Sequence, residues 1–175
     1  MNKILTIIII FFSTSVLSAN ERDAKLDKLF MELKNNITSS SPMIAQQIWS
    51  LWSTHPTDEK LTSILDEGSR LVQDRQLARA INVFTEVIKL DPTWAEAWNK
   101  RATVFYMVGE FDKSQDDIDK VLELEKRHFG ALAGQGMVNI QLKNYDKAKR
   151  SYQKVQEIYP AMKSPKVMIE QIEEL

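Results

Sequence analysis

A period of 34 residues runs through positions 61–162, and it constrains the fold more than any single side chain does. Its columns read Ile64/Trp98/Leu132, Gly68/Ala102/Gly136, Leu77/Phe111/Tyr145 and Ala80/Ser114/Ala148. They continue as Phe84/Ile118/Tyr152, Val87/Val121/Val155, Leu90/Leu124/Ile158 and Pro92/Lys126/Pro160. Large apolar and small residues recur at fixed offsets, and Pro closes two of the three units. A unit this short cannot bury its own apolar face. It becomes stable only when neighbours stack, so the pattern calls for an all-α solenoid of helix-turn-helix units at 61–94, 95–128 and 129–162. Chains built this way present a surface to partners rather than a closed cleft.

The flanks read as helices that close the stack. Leu26, Leu29, Phe30 and Leu33 recur at i, i+3, i+4 and i+7 between Glu21 and Asn36, an amphipathic stripe. After a polar break, Ser41-Pro42 opens a second helix, with Pro where a missing N–H costs nothing. It carries Ile44, Ile48, Trp49 and Trp52 on one face and ends at His55-Pro56. Residues 20–60 thus form an N-terminal helical hairpin, a degenerate repeat that caps the solenoid. At the other end Ser164-Pro165 starts a capping helix within 163–175, with Met168, Ile172 and Leu175 along one side. Inside the second unit, Thr93 and Glu96 have capping-box spacing. Val108-Gly109-Glu110 makes the turn, Lys143-Asn144 does so in the third unit, and Asp112 and Asp146 sit near the positive ends of the helices that follow.

Residues 1–19 pose a separate question. Lys3 gives a positive start, Ile4–Phe12 is an almost unbroken apolar run, and Val16, Ser18 and Ala19 supply small residues at peptidase spacing. The run is about half of the roughly 20 residues that a spanning helix needs. A cleaved signal peptide, with no stable membrane insertion afterwards, is the reading preferred over an uncleaved anchor; the mature chain is then periplasmic, or secreted as second choice. Without residues 1–19, 22 basic residues face 24 acidic ones. That balance offers no basic excess for nucleic acid. The chain has no Cys, which removes disulfides, thiolate metal sites and cysteine nucleophiles. The Asn36-Ile37-Thr38 triplet matches a glycosylation acceptor, a match expected by chance in this length.

The repeat resembles the tetratricopeptide repeat (TPR) over about 100 residues, on its small and large apolar columns. It departs from that pattern at Glu67, Arg101 and Gln135, where the family places an apolar side chain, and at Asn139, where it places an aromatic. Strings such as Trp98–Thr103 and Arg127–Leu132 further resemble small exported TPR proteins of alphaproteobacteria. That likeness implies a cell-envelope setting and no particular reaction. The family resemblance implies a concave surface lined by the first helix of each unit. On this chain it comprises Leu65, Asp66 and Ser69, then Glu96, Asn99, Lys100, Thr103, Tyr106 and Met107, then Gly130, Gly134, Met137, Ile140 and Gln141. Met107 and Met137 would adapt to varied apolar contacts. A protein or peptide partner held there is the main expectation; the plain alternative is that these are solvated helix faces. Chaperone-binding family members hold a terminal carboxylate with Lys, Asn and Arg over three rungs. The matching positions here are Leu65 and Ser69, Lys100, and Gly130 and Gly134, so only one positive charge remains and such a clamp is not expected.

The stacked Glu67, Arg101 and Gln135 suggest a structural polar ladder with Glu67–Arg101 as its main pair. Gly136 suits tight helix packing, while Gly130 and Gly134 are open between packing and close approach of a ligand backbone. Trp49, Trp52 and Trp98 are read as core, and Trp94 as the tryptophan most exposed. Asp116, Asp117 and Asp119 are read as solvated. His55 and His128 stand at inter-helix junctions without metal-ligand spacing. No catalytic residue, metal or cofactor is expected, since no nucleophile elbow, phosphate loop or zinc signature occurs. The function expected is a non-enzymatic adaptor of the cell envelope. An accessory protein or enzyme acting on cell-wall material is the alternative.

Overall fold

The structure, a computed structural model, describes residues 21–35 and 40–174. The signal segment, Asn36-Ile37-Thr38 and Leu175 lie outside the described residues. Among the described residues every element is helical: α1 (21–35), α2 (Ser41–Ser53), α3 (Glu59–Gln73), α4 (Leu77–Leu90) and α5 (Ala95–Met107). These are followed by α6 (Phe111–Leu124), α7 (Phe129–Gln141), α8 (Tyr145–Ile158) and α9 (Lys163–Glu173). From α3 onward each helix packs on its chain neighbours, and α3, α5 and α7 also touch in sequence along one wall. This is the helical repeat solenoid that the columns require.

The two strictest columns explain the helix pairs. A Cβ on Gly68 would lie 2.4 Å from Phe84 Cε1, and one on Gly136 would lie 2.5 Å from Tyr152 Cζ. The middle unit carries Ala102, and there the opposing residue is the narrower Ile118. Small and large residues therefore co-vary within each unit to hold one interhelical spacing, as close packing demands. The turns repeat as closely. Gln76 N–H donates to the Leu71 carbonyl (2.8 Å) and Arg75 N–H to Val72 (3.1 Å), the two bonds of a Schellman motif. Glu110/Gly109 and Asn144/Lys143 repeat both bonds in the other units. The residue at the left-handed corner is Gly109 (φ +80°) in one unit but Arg75 and Lys143 (both φ +60°) in the others.

Several expectations are corrected. Helix α3 begins at Glu59, because Asp58 caps it by accepting from Lys60 and Leu61 N–H. The Thr93–Glu96 capping box does not form: Thr93 donates through N–H and Oγ1 to Asp91, and Glu96 turns into the interior. Trp94 is 5 % exposed, with its indole N–H on the Trp52 carbonyl at 2.8 Å. Asp117 is buried rather than solvated.

The polar column also pairs differently. Arg101 forms a two-pronged ion pair with Asp117 (Nε and Nη2, both 2.8 Å) and donates to Thr85 Oγ1 (3.0 Å). Gln135 repeats this reach one unit on, donating to Asp119 (3.1 Å) and accepting from Ser151 Oγ (2.8 Å). Each polar residue thus bridges the second helices of its own and the preceding unit. Glu67 is exposed and does not pair with Arg101, whose guanidinium is taken up by Asp117 and Thr85. Burial pushes the Asp117 carboxyl above its ordinary range, against the opposing pull of the Arg101 hydrogen bonds. Asn139 extends the network by donating to Gln115 Oε1 and the Gln135 carbonyl.

The N-terminal hairpin does more than cap one end. Leu26, Leu29, Phe30, Leu33, Ile44, Ile48 and Trp52 form one core with Phe129, Leu132, Val155 and Tyr159 of the third unit. Arg127 ties the same contact, with Nη1 2.6 Å from Asp27 and its guanidinium over the Phe30 ring. The hairpin therefore lies across the solenoid and reaches its far unit. Among the described residues no helix is long and apolar enough to cross a membrane.

Candidate partner-binding groove

The hairpin divides the concave face. Trp52 stacks flat on His128 (3.9 Å between centroids, 9°), and Trp49 meets Trp52, His128 and Phe129 edge-on. Gly130 is explained by this contact: a Cβ there would lie 2.5 Å from Trp49 Cη2. The group that closely approaches Gly130 is a tryptophan of the same chain, which settles one of the two open glycines in favour of packing. Gly134 has only Ile118 Cδ1 at 3.6 Å, so its lack of a side chain leaves space.

Two buried histidines fix the junctions. His128 Nδ1 accepts the Ala131 N–H (3.1 Å), and Nε2 faces Glu96 Oε2 (3.1 Å). His55 Nδ1 accepts from Asp58 N–H (2.9 Å), and Nε2 faces Asp91 Oδ2 (2.8 Å). An accepting Nδ1 leaves the proton on Nε2, which donates to the carboxylate. Burial opposes ionisation of Asp91, but its hydrogen bonds from Thr93 and His55 outweigh burial and hold its pKa below the usual carboxylate value.

These contacts sort the expected surface residues. Leu65 and Glu96 are buried and leave the surface set, whereas Asn99, though mostly buried, lines both the hollow beside the hairpin and the small cavity between α5 and α7. Leu65 belongs to the core of the first unit, and Asn99 Nδ2 donates to Glu96 Oε2 (3.0 Å). Lys100 Nζ stands 3.5 Å from Glu96 Oε1, an ion-pair contact rather than a hydrogen bond. Lys100, the one cation of the expected set, is thus already balanced by a carboxylate of its own helix. Asp66 is exposed and lines none of the cavities described below.

The remaining residues converge in four places. Ser69, Lys100 and Thr103, with Trp49, Val72 and Gln73, line a hollow of about 320 Å³ beside the hairpin. Thr103, Tyr106, Gly130, Gly134 and Met137 surround a small cavity of about 90 Å³ between α5 and α7. Tyr106, Met137, Ile140 and Gln141 meet Met162, Ser164 and Met168 around an apolar cavity of about 350 Å³. Met107 joins Tyr106 and Gln141 on the adjoining open shelf. Tyr106 takes part in the last three of these spaces. Trp49, Met162, Ser164 and Met168 were not expected at the groove. In the sequence Trp49 and Met168 stand only on apolar stripes, and the missing side chain at Gly130 is the one hint that another chain segment lies on the concave side. Among the described residues no group of three or more His, Asp or Glu could hold a metal ion.

The tetratricopeptide repeat family profile matches residues 130–162. A TPR repeat-containing protein of Rhizobium etli is 28 % identical over 151 residues, covering 86 % of this chain and 74 % of that protein. Sperm-associated antigen 1 of Rattus norvegicus is 30 % identical over 89 residues, covering 47 % of this chain but 10 % of that larger protein. Among solved structures, the first TPR of Spaghetti (RPAP3) bound to the HSP90 peptide SRMEEVD superposes with a TM-score of 0.65. It is 19 % identical and covers 66 % of this chain and 92 % of that one. The Yersinia enterocolitica type III secretion chaperone SycD, in complex with a peptide of the translocator YopD, gives a TM-score of 0.63 at 13 % identity. That likeness covers 67 % of this chain and 95 % of the chaperone.

Proposed function

We propose that this chain, a tetratricopeptide-repeat protein, is a non-enzymatic adaptor of the cell envelope that holds a peptide or protein segment on the open half of its concave face. The single observation that carries this reading is the position of Tyr106. It belongs to the walls of the cavity between α5 and α7, the apolar cavity beside α9 and the shelf at Met107. A segment laid along the open half would cross it. Structural neighbours that bind peptides support the general mode of action, and the apolar leader Ile4–Phe12 supports the envelope setting.

The test is site-specific photo-crosslinking in cells expressing the full chain. A crosslinker at Met137 or Met107 should give a discrete adduct from the periplasmic fraction, and one at the exposed outer residue Asp116 should not. Tyr106→Ala should weaken partner capture at least tenfold, about 1.4 kcal/mol, with helicity unchanged. Adducts at Asp116 alone, or none at any position, would overturn the reading.

A further inference from the structure

We infer that the partner is anchored by uncharged apolar side chains entering the cavity beside α9, not by a terminal carboxylate; this rests on the groove reading above. The cavity of about 350 Å³ is walled by Met137, Ile140, Met162 and Met168, with Tyr106 and Tyr152, and no charged side chain lines it. Its volume suits one or two side chains of Leu, Met or Phe size rather than a whole folded element. Unbranched methionines can reshape around such an anchor. A negative ligand end seated in this cavity would meet no cation among its lining residues: Lys100 lies in the neighbouring hollow against Glu96, and Arg75 stands outside it on the shelf beside Met107. Charge therefore selects against an acidic terminus, and apolar area supplies the affinity.

Tyr152 sharpens the chemistry. It is 3 % exposed, its ring end lies over Gly136, and its Oη is buried with no hydrogen-bond partner among the described residues. A buried hydroxyl without a partner is costly to maintain. Burial, with a smaller contribution from Tyr106, pushes this phenol up to about 12, so it stays protonated and able to donate. When a methionine of the wall swings aside for the anchor, the hydroxyl is offered to a peptide carbonyl next to the anchoring side chain. The occupant is an internal apolar stretch of a polypeptide, with a backbone carbonyl beside the inserted residue.

The experiment selects random ten-residue peptides, displayed with both ends blocked by flanking sequence, against the full chain, and compares them with the free acidic peptide SRMEEVD. The expected result is enrichment of closely spaced Leu, Met, Ile or Phe residues, with SRMEEVD binding at least tenfold more weakly. Met137→Glu and Met168→Glu should each weaken the selected peptides at least tenfold. Tyr152→Phe should weaken them about threefold or more while its thermal midpoint stays level or rises, since the change removes an unpaired polar atom and keeps the ring. Preference for SRMEEVD, or apolar peptides indifferent to all three variants, would overturn the inference. Failure to enrich any peptide while the Met137 adduct forms in cells would also overturn it. Loss of that adduct as well would overturn the adaptor reading itself.

Discussion

Toward the N-terminal ends of α5 and α7, the concave face is filled by Trp49, Trp52, His128 and Phe129 in mutual ring contact. Toward the C-terminal ends of the same helices it ends in Tyr106, Met107, Met137 and Gln141, of which Met107 is 40 % and Met137 42 % exposed. Both halves belong to the same repeats with the same small and large columns. What differs is the N-terminal hairpin, which covers one half and leaves the other. The repeat sets the shape of the wall, whereas the flanking segment decides how much of it remains available.

The largest expected effect is on the covered half. Trp52→Ala removes the ring that stacks on His128 and carries the hairpin core, and should destabilise the chain by about 3–5 kcal/mol in urea unfolding. If it costs less than about 1 kcal/mol, the hairpin is a loose appendage and the two halves are not distinct. The next effect compares two glycines on one helix. Gly130→Ala places a methyl against Trp49 and should destabilise by about 1–2 kcal/mol after its gain in helix propensity. Gly134→Ala makes only an ordinary van der Waals contact with Ile118 and should stabilise by up to about 1 kcal/mol. Equal signs for the pair would erase the division.

A smaller effect concerns acid. The lowered pKa of Asp91 means that its ionised form is favoured by folding. The resulting stability is present above the unfolded carboxylate value of about 4 and is lost as pH falls through the lower folded value. Asp117 acts in the opposite sense: with its pKa raised, its contribution is present below the unfolded value and fades as pH rises through the folded one. Asp91→Asn should therefore flatten the acid limb of stability against pH. An unchanged limb would remove the His55–Asp91 junction from the account.

The solenoid was legible because stacked repeats leave a period, and the period alone places α4 to α8. The hairpin's path was not legible. An amphipathic stripe states that Trp49 and Trp52 are covered, but not that the cover is a unit some 80 residues downstream, as the Trp49–Gly130 contact demonstrates. The polar column was visible as a departure from the family, yet its partners lay on the second helices. Arg101 reaches Asp117 and Thr85, and Glu67 stays exposed to solvent. Of the expected groove, Tyr106, Met137, Ile140 and Gln141 stand together, whereas Glu96 turns inward onto the buried His128. Periodicity reports which face a residue occupies; it cannot report which other segment shares that face.

The most direct measurement is hydrogen–deuterium exchange of the full chain with and without a selected apolar peptide. New protection is expected at the C-terminal ends of α5 and α7 and along α9, with exchange in α1 and α2 unchanged. Faster exchange in α1 and α2, with protection at Gly130 and the N-terminal ends of α5 and α7, would mean that the partner displaces the hairpin, and would contradict the account.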